Sequence, residues 1–178
     1  MIPKNAKEIK LPASSAALAS LSAGEIVLLS GAAYTARDAA HKRIADALAA
    51  DKKPPFDLTN AAIYYAGPSP ARAGEIIGSC GPTSSARMDA YTPLLLEQGL
   101  KVMIGKGRRS EDVRRAIAKS GAVYLLAVGG AAVLIKSYVT GFEPTAYPEL
   151  LSEAVCKITF DKLPLIVGID SQGNSVFS

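Results

Sequence analysis

The feature that most constrains the fold is an apolar run of strand length, residues 25–31, that ends at a glycine and precedes an amphipathic segment. Such a run is typical of a buried strand. In the segment after it, Ala40, Ile44 and Leu48 recur every four residues, which predicts a helix with one apolar face. Thr35 has an aspartate three positions later and so resembles a capping box, which places the helix start near Thr35. A strand that leads directly into a helix favours an α/β fold.

The rest of the chain continues this alternation. Further strands are predicted over residues 61–67, 100–104, 124–128, 154–160 and 165–170. The last of these strands closes through the turn residues 171–174, which predicts a hairpin at the C-terminus. A β-rich tail of this kind makes a plain doubly wound sheet the less favoured α/β architecture.

Helices are predicted from capping residues and prolines. Ser110 can cap a helix that runs through Lys119, and Gly121 can end it. Pro93 either interrupts the preceding helix or begins a new one in its first turn. Residues 131–135 fit either a helix or a strand. Together these elements predict one domain, because 178 residues fall in the one-domain range.

Composition and charge narrow the classes of function. The chain has 20 Lys and Arg against 16 Asp and Glu, a net charge of +4 that is not packed into long runs. Only 6% of the residues are aromatic, and no basic stretch is interleaved with aromatic residues as a single-strand nucleic-acid binder requires. We therefore expect small anions as ligands, and neither nucleic acid nor a membrane as a partner.

The two cysteines, Cys80 and Cys156, argue against a disulfide scaffold and suit a reducing compartment. They are also too few to hold a cysteine-ligated metal cluster, so no metal ligands are predicted in this chain. The chain start lacks an apolar core of signal-peptide length, and no apolar run is long enough to span a membrane. These features predict a soluble, cytoplasmic protein.

Three short segments, residues 35–41, 81–89 and 104–107, place a cation beside glycines or at a predicted helix start. Free backbone N–H groups and the helix dipole also attract anions at such junctions. If the three segments met at one edge of a sheet, they would form a pocket for a dicarboxylate.

The cations in these segments are Arg37, Arg87 and Lys106. Arginine suits carboxylates because its planar fork can donate two parallel hydrogen bonds. The alternative is that these cations are surface charges or structural partners of Asp38 and Asp89. The residue types alone leave both interpretations open.

Residues 35–42, 81–89 and 104–107, taken together and in this order, resemble the C-terminal domain or beta subunit of class I fumarases and L(+)-tartrate dehydratases. The resemblance runs from about residue 11 to residue 177 and includes residues 147–150. The nine-residue segment 81–89 in order with the other two motifs is a specific signal, whereas any one motif alone is weak.

The resemblance implies a single α/β domain with a three-layer β/β/α swivelling fold over residues 11–178, preceded by an N-terminal extension, residues 1–10. It also implies the beta subunit of a [4Fe-4S]-dependent hydro-lyase that hydrates fumarate reversibly to (S)-malate. In this family the alpha subunit, or N-terminal domain, holds the cluster through three cysteines and leaves one iron open to substrate. The chain would thus carry no metal and would act in a hetero-oligomer, for which alpha2beta2 is one stoichiometry.

Carried over by motif, the resemblance assigns Arg37, Arg87 and Lys106 to the substrate carboxylates. Thr83 would be the base that takes the proton from the carbon next to a carboxylate. The general acid that protonates the departing hydroxyl would come from the alpha subunit.

Three further residues are candidates for supporting roles. His41, the only histidine, lies one helical turn after Arg37 and is either structural or orients Arg37 or the substrate. Asp38 is expected to be a helix cap and an arginine partner. Asp89 is expected to orient side chains or the loop that contains it.

The remaining polar residues near these motifs are predicted to be structural. Cys80 is expected to be buried as a small apolar residue. Ser84 and Ser85 are expected to be helix caps, with hydroxyls that line the site as the alternative. The basic cluster Arg108, Arg109, Arg114 and Arg115 is expected to be a solvated helix face, with a subunit contact as the alternative.

Two alternative functions stay open. The first is an L(+)-tartrate dehydratase beta subunit that forms oxaloacetate, because the motifs bind a carboxylate frame that both substrates share. The second is a regulatory module that binds a dicarboxylate without chemistry. A cluster-bearing partner encoded beside this chain would favour the enzyme.

Overall fold

The computed structural model describes residues 6–127 and 132–177, which form one mixed α/β domain. The strands are β1 Lys7–Lys10, β2 Ile26–Thr35, β3 Ala62–Tyr64, β4 Val102–Gly105, β5 Val123–Leu126, β6 Val139–Ala146 and β7 Val155–Ile169. The helices are α1 Ser15–Ala19, α2 Asp38–Ala49, α3 Thr92–Glu97, α4 Glu111–Ser120 and α5 Ala132–Lys136, with 3₁₀ helices at Ser85–Met88 and Pro148–Glu153.

The strands lie in the order β1-β2-β3-β4-β5-β7-β6. Strands β1 to β5 pair in parallel, and β7 pairs antiparallel with β5 and β6. β7 also pairs antiparallel with β2, so the pairings return to β2 in a closed circuit. The prediction of an α/β domain is confirmed. The domain boundary predicted at residue 11 stays a prediction, although β1 before it is paired with β2.

The first predicted strand is longer than its apolar run. β2 continues past Gly31, which has a φ of 107° and lies so close to Leu11 that a side chain at Gly31 would meet the Leu11 carbonyl oxygen. The predicted capping box is wrong, because Thr35 is still in the strand and its hydroxyl accepts a hydrogen bond from the Cys156 N–H. Helix α2 therefore begins at Asp38.

The two strands predicted at 154–160 and 165–170 are one strand, β7. A bulge occupies the gap, because the register against β2 shifts between Leu29 and Gly31 opposite this point. Lys162 adopts a φ of 52°, and its N–H donates to Ser30 Oγ, so the chain stays paired instead of turning back. The turn after the strand is as predicted, with Gly173 in the left-handed region.

The capped helices are confirmed. The Ser110 hydroxyl accepts from the Val113 N–H at the start of α4, and Gly121 ends that helix with left-handed backbone angles. Pro93 lies in the first turn of α3 and so begins a new helix. Of the ambiguous segment 131–135, residues 132–135 belong to helix α5. Ala131 and the last residue of the strand predicted at 124–128 lie outside the described residues.

Two hydrophobic cores lie on opposite faces of β3, β4 and β5. Alternate residues divide between them: Tyr64 and Ile104 join one core, and Ile63 and Met103 join the other. The second core also contains the apolar residues of α2, α3 and α4. These strands are thus buried on both faces. Because both faces are packed, the carboxyl ends of the strands have fixed positions. No helix in the described part of the chain is long and apolar enough to cross a membrane.

Candidate active site

The three cationic segments follow β2, β3 and β4 and meet at the carboxyl ends of these parallel strands. Arg37 comes two residues after β2, and Lys106 directly follows β4. The Thr83 N–H donates a 2.6 Å hydrogen bond to the Tyr65 carbonyl just beyond β3. Ser84 forms a parallel bridge with Lys106. Ligands commonly bind at the carboxyl ends of parallel strands in α/β folds.

Arg87 pairs with Asp38, the first residue of α2. Arg87 Nε donates to Asp38 Oδ1 at 2.8 Å, and Arg87 Nη2 lies 2.8 Å from Asp38 Oδ2. Asp38 is therefore an arginine partner, as predicted, and the pair connects the second cationic segment to the first. The prediction that Asp38 caps the helix is wrong, because Arg37 occupies the N-cap position and Asp38 is already in the first turn. About half of the Arg87 side chain, 54%, stays exposed and can meet a ligand.

Arg37 pairs with Glu153, a residue that the sequence did not point to. Arg37 Nε and Nη2 donate to Glu153 Oε1 at 2.8 and 2.7 Å. The other oxygen, Oε2, accepts the Ala39 N–H at 2.9 Å in the first turn of α2. Glu153 lies 116 residues after Arg37, so no local spacing signals the pair.

Lys106 and Thr83 differ from the two arginines. Within residues 6–127 and 132–177, neither the Lys106 ammonium nor the Thr83 hydroxyl has a hydrogen-bond or ion-pair partner. Their backbones are held, because the Lys106 N–H donates to Ser85 Oγ and the Thr83 N–H donates to Tyr65. These two polar groups are thus available to a ligand at a fixed edge.

Ser85 is not a helix cap, and that prediction is wrong. Its buried hydroxyl accepts the Lys106 N–H at 3.1 Å and the Tyr124 hydroxyl at 2.8 Å. Ser84 occupies the N-cap position of the 3₁₀ helix but makes no capping hydrogen bond through its side chain. Burial raises the pKa of Tyr124, so it stays a neutral donor. Ser85 therefore joins the second cationic segment to the third.

Arg109 is also placed differently from the prediction. Its side chain has no exposed surface, so it is not part of a solvated helix face. Arg109 Nε donates to Asp89 Oδ1 at 2.6 Å, and Nη2 donates to the Thr92 hydroxyl at 2.7 Å. The other carboxylate oxygen of Asp89 accepts the Ser110 N–H at 2.6 Å. Asp89 thus fixes the end of the second cationic segment against the start of α4.

His41 is fully buried at the base of the site. Its Nδ1 lies 3.1 Å from the Arg37 carbonyl, so Nδ1 must carry the proton that this hydrogen bond requires. Desolvation by burial lowers the pKa of His41 to about 4, which keeps the ring neutral. Its Nε2 has no hydrogen-bond partner among the described residues. His41 therefore contacts the backbone of Arg37 and has no surface open to a ligand.

The donor set of the described residues does not fit a metal cluster. No group of three His, Cys, Asp or Glu side chains among them could hold a metal ion. Cys80 and Cys156 are buried, as predicted for Cys80, and burial raises the pKa of both thiols, that of Cys80 to about 12. Neutral buried thiols are poor metal ligands, because the thiolate is the form that binds.

Comparison with known proteins finds relatives of this chain. The family model described as "Fumarase C-terminus" matches residues 2–178. The anaerobic class I fumarate hydratase of Escherichia coli (strain K12) is 40% identical over 151 residues, which cover 84% of this chain and 28% of that protein. Fumarate hydratase 2 of Leishmania major is 38% identical over 157 residues, which cover 87% of this chain and 28% of that protein.

A shorter relative is matched over most of its length. The L(+)-tartrate dehydratase subunit beta of Escherichia coli (strain K12) is 32% identical over 179 residues, which cover 97% of this chain and 87% of that protein. The chain thus spans about a quarter of the fumarate hydratases but most of the subunit. Since the family model covers nearly the whole sequence, the chain belongs to the Fumarase C-terminus family.

Proposed function

We propose that this chain is the beta-type component of a [4Fe-4S]-dependent hydro-lyase that hydrates fumarate reversibly to (S)-malate. The observation that carries the proposal is the edge where Lys106 and Thr83, without partners among the described residues, lie beside Arg37 and Arg87. Membership of the Fumarase C-terminus family supports the same reaction class.

The cations of this edge would bind the substrate carboxylates. Negative charge builds on one carboxylate as the neighbouring C–H loses its proton, and a fixed cation aimed at that group stabilises the transition state more than the ground state. Lys106 offers an ammonium that no described carboxylate neutralises. Arg87 offers the exposed part of a guanidinium that Asp38 already orients. Arg37 would contribute the donors that Glu153 leaves unused.

Thr83 would take the proton from the substrate carbon. A threonine hydroxyl is a weak base near neutral pH and needs an activating group. No described side chain forms a hydrogen bond with this hydroxyl, so activation would come from the substrate complex or from the partner. The short hydrogen bond from the Thr83 N–H to the Tyr65 carbonyl fixes the backbone from which the hydroxyl extends.

The cluster and the general acid would belong to an alpha-type polypeptide. The buried thiols of this chain and the lack of a ligand group among its described residues support that division. The fumarate hydratases are about three and a half times as long as their matched region, which leaves room for such a part in one chain. The assembly proposed here is a cytoplasmic hetero-oligomer with alpha2beta2 as one stoichiometry.

The three-layer swivelling architecture is part of the same proposal. The two cores on opposite faces of β3, β4 and β5 support it, since residues of α2, α3 and α4 belong to one core and most core residues of β7 belong to the other.

Tartrate is the second candidate substrate. One relative, of which the match covers 87%, is named as an L(+)-tartrate dehydratase subunit beta. Tartrate and malate share a dicarboxylate frame with a hydroxyl next to a carboxylate, so the same cations suit both.

Co-expression with the alpha-type polypeptide tests the proposal. The complex should dehydrate malate or tartrate, and the chain alone should be colourless and inactive. Assays of malate, fumarate and tartrate side by side would identify the substrate. Dicarboxylate binding by an inactive complex would replace the enzyme with a binding module, and turnover by the isolated chain would refute the division of labour.

A further inference from the structure

The Glu153 carboxylate holds both the side chain of Arg37 and the start of helix α2. One oxygen accepts two hydrogen bonds from the guanidinium, and the other accepts the Ala39 N–H. Both side chains are about three-quarters buried, with 27% of Arg37 and 20% of Glu153 exposed. Charge-assisted hydrogen bonds with so little solvent contact are stronger than a surface ion pair.

The opposite side of the guanidinium is closed by backbone. A Cβ atom added at Gly67 would lie 2.9 Å from Arg37 Nη1 and 2.8 Å from the Ser152 carbonyl oxygen, so only glycine fits there. Arg37 is thus confined between Glu153 and the chain at Gly67. Its Nη1 makes no hydrogen bond with any described residue.

The segment that carries Glu153 adopts an uncommon backbone conformation. Leu151, two residues earlier, has φ 53° and ψ −115°, a conformation that non-glycine residues rarely adopt. Such strain persists only where surrounding contacts over-determine it. The contacts here are the Glu153 bonds at one end of the segment and the ion pair of Glu149 with Arg43 at the other.

A second carboxylate lies close enough to compete for Arg37. Asp38 Oδ2 is 4.0 Å from Arg37 Nε, while Asp38 is paired with Arg87. Without Glu153, the nearest anion for Arg37 among the described residues is Asp38. Movement of Arg37 towards it would weaken the Asp38–Arg87 pair as well.

We propose that Glu153 is a positioning residue that keeps Arg37 paired away from Asp38, so that both arginines of the site hold separate, fixed orientations. The inference rests on the proposed function, because it concerns how Arg37 meets a substrate carboxylate. Glu153 acts through Arg37 and does not itself touch the substrate.

Steady-state kinetics of the complex with the alpha-type polypeptide test this role. Glu153→Ala should raise KM for the dicarboxylate on the order of tenfold, since a misplaced binding group costs one to two powers of ten. Glu153→Gln keeps an oxygen acceptor of the same shape and should restore part of the loss. Asp46→Asn is the control, because it removes an exposed carboxylate of α2 that pairs with Lys42 and not with Arg37. A KM within twofold of wild type for Glu153→Ala would overturn the proposal.

A double-mutant comparison separates positioning from a merely structural role. If Glu153 acts through Arg37, Glu153→Ala should have no further effect on KM in an Arg37→Ala background. If Glu153 only capped α2, Glu153→Ala would lower the stability in both backgrounds, and its effect on KM would not depend on whether Arg37 is present. Equal effects of Glu153→Ala in the two backgrounds would refute the inference.

A measurement without turnover distinguishes this proposal from the proposed function. In the full chain alone, the Nε–H of Arg37 should give a protected NMR signal that Glu153→Ala abolishes and Asp46→Asn leaves unchanged. If Glu153→Ala abolishes the signal but the assembly with the alpha-type polypeptide turns over no dicarboxylate, the Glu153–Arg37 contact stands and the hydro-lyase function is refuted. An unprotected Arg37 signal in the wild-type chain would refute the contact itself.

Discussion

Arg109 Nε donates a 2.6 Å hydrogen bond to Asp89 Oδ1 inside the protein, where the Arg109 side chain has no exposed surface. The guanidinium also lies over the rings of Tyr65 and Tyr124, at 5.3 and 5.1 Å from their centroids. Arg109 thus connects the end of the second cationic segment, residues 81–89, to Tyr65 just after β3 and to Tyr124 in β5. Arg109 is therefore a buried structural residue beneath the site and not part of a surface cluster.

Replacing Arg109 should unfold the chain more easily. Arg109→Met leaves the Asp89 carboxylate largely buried without its cation, which costs about 3 to 5 kcal/mol of unfolding free energy. Arg115→Met is the matched control, because Arg115 pairs with Glu111 and Asp112 on an exposed face and should change stability by under about 1 kcal/mol. Urea denaturation measures both. Equal midpoints for the two variants would contradict the burial of Arg109.

Ser85 should matter more for stability than the tyrosine that bonds to it. Ser85→Ala leaves the Lys106 N–H without its acceptor, at a cost of about 1 to 3 kcal/mol. Tyr124→Phe should cost less, since it removes a hydroxyl whose single proton serves either Ser85 or the Gly107 carbonyl. Ser84→Ala should be near neutral, because the Ser84 hydroxyl has no hydrogen bond among the described residues. Urea denaturation in which Tyr124→Phe is the most destabilised variant would contradict this order.

Local signals in the sequence predicted local structure well. Helix α4 has its cap at Ser110 and its stop at Gly121, both within a few residues of the helix that they define. The start of α2 could not be predicted in this way, because its cap is the carboxylate of Glu153, 114 residues from the N–H that it accepts. The β7 bulge was missed for the same reason, since its register depends on β2.

For the site too, the sequence predicted the local segments but not the long-range contacts. The segments containing Arg37, Thr83, Arg87 and Lys106 were predicted to share an edge, and the structure places them at the ends of β2, β3 and β4. The contacts that fix this edge come from residues far apart in sequence. A buried arginine such as Arg109 has no sequence signature that separates it from its exposed neighbours, because its burial depends on Asp89, 20 residues earlier.

His41 should make stability depend on pH. Burial lowers its pKa from 6.5 to about 4 in the folded chain. Between these values the unfolded chain binds the proton and the folded chain does not, so stability rises with pH. The contribution of roughly 3 kcal/mol is complete above pH 6.5 and is lost as the pH falls towards 4.

The variant His41→Asn isolates this contribution. Asn keeps a donor for the Arg37 carbonyl but does not titrate, so its stability should fall less than that of wild type across the window from pH 6.5 to 4. Urea denaturation at several pH values measures the difference. Parallel stability curves for the two proteins would show that His41 is not the titrating group.

Arg87 should be needed for turnover by the complex. Arg87→Ala removes a fixed cation from the edge and should lower kcat/KM by about a hundredfold, as the loss of a stabilising donor does in other active sites. Arg115→Ala is a control of equal charge change on an exposed helix face. A near-wild-type value for Arg87→Ala would remove Arg87 from the site and leave it as a structural partner of Asp38.

Thr83→Val tests the proposed base directly. Valine has nearly the shape of threonine, and the Thr83 hydroxyl has no hydrogen bond among the described residues, so the folded structure should tolerate the change. The backbone N–H that bonds to Tyr65 is retained. If Thr83 takes the proton, kcat should fall by about a hundredfold or more with little change in KM, because only proton transfer is affected. Retained kcat would show that another group is the base and would leave Thr83 as a lining residue.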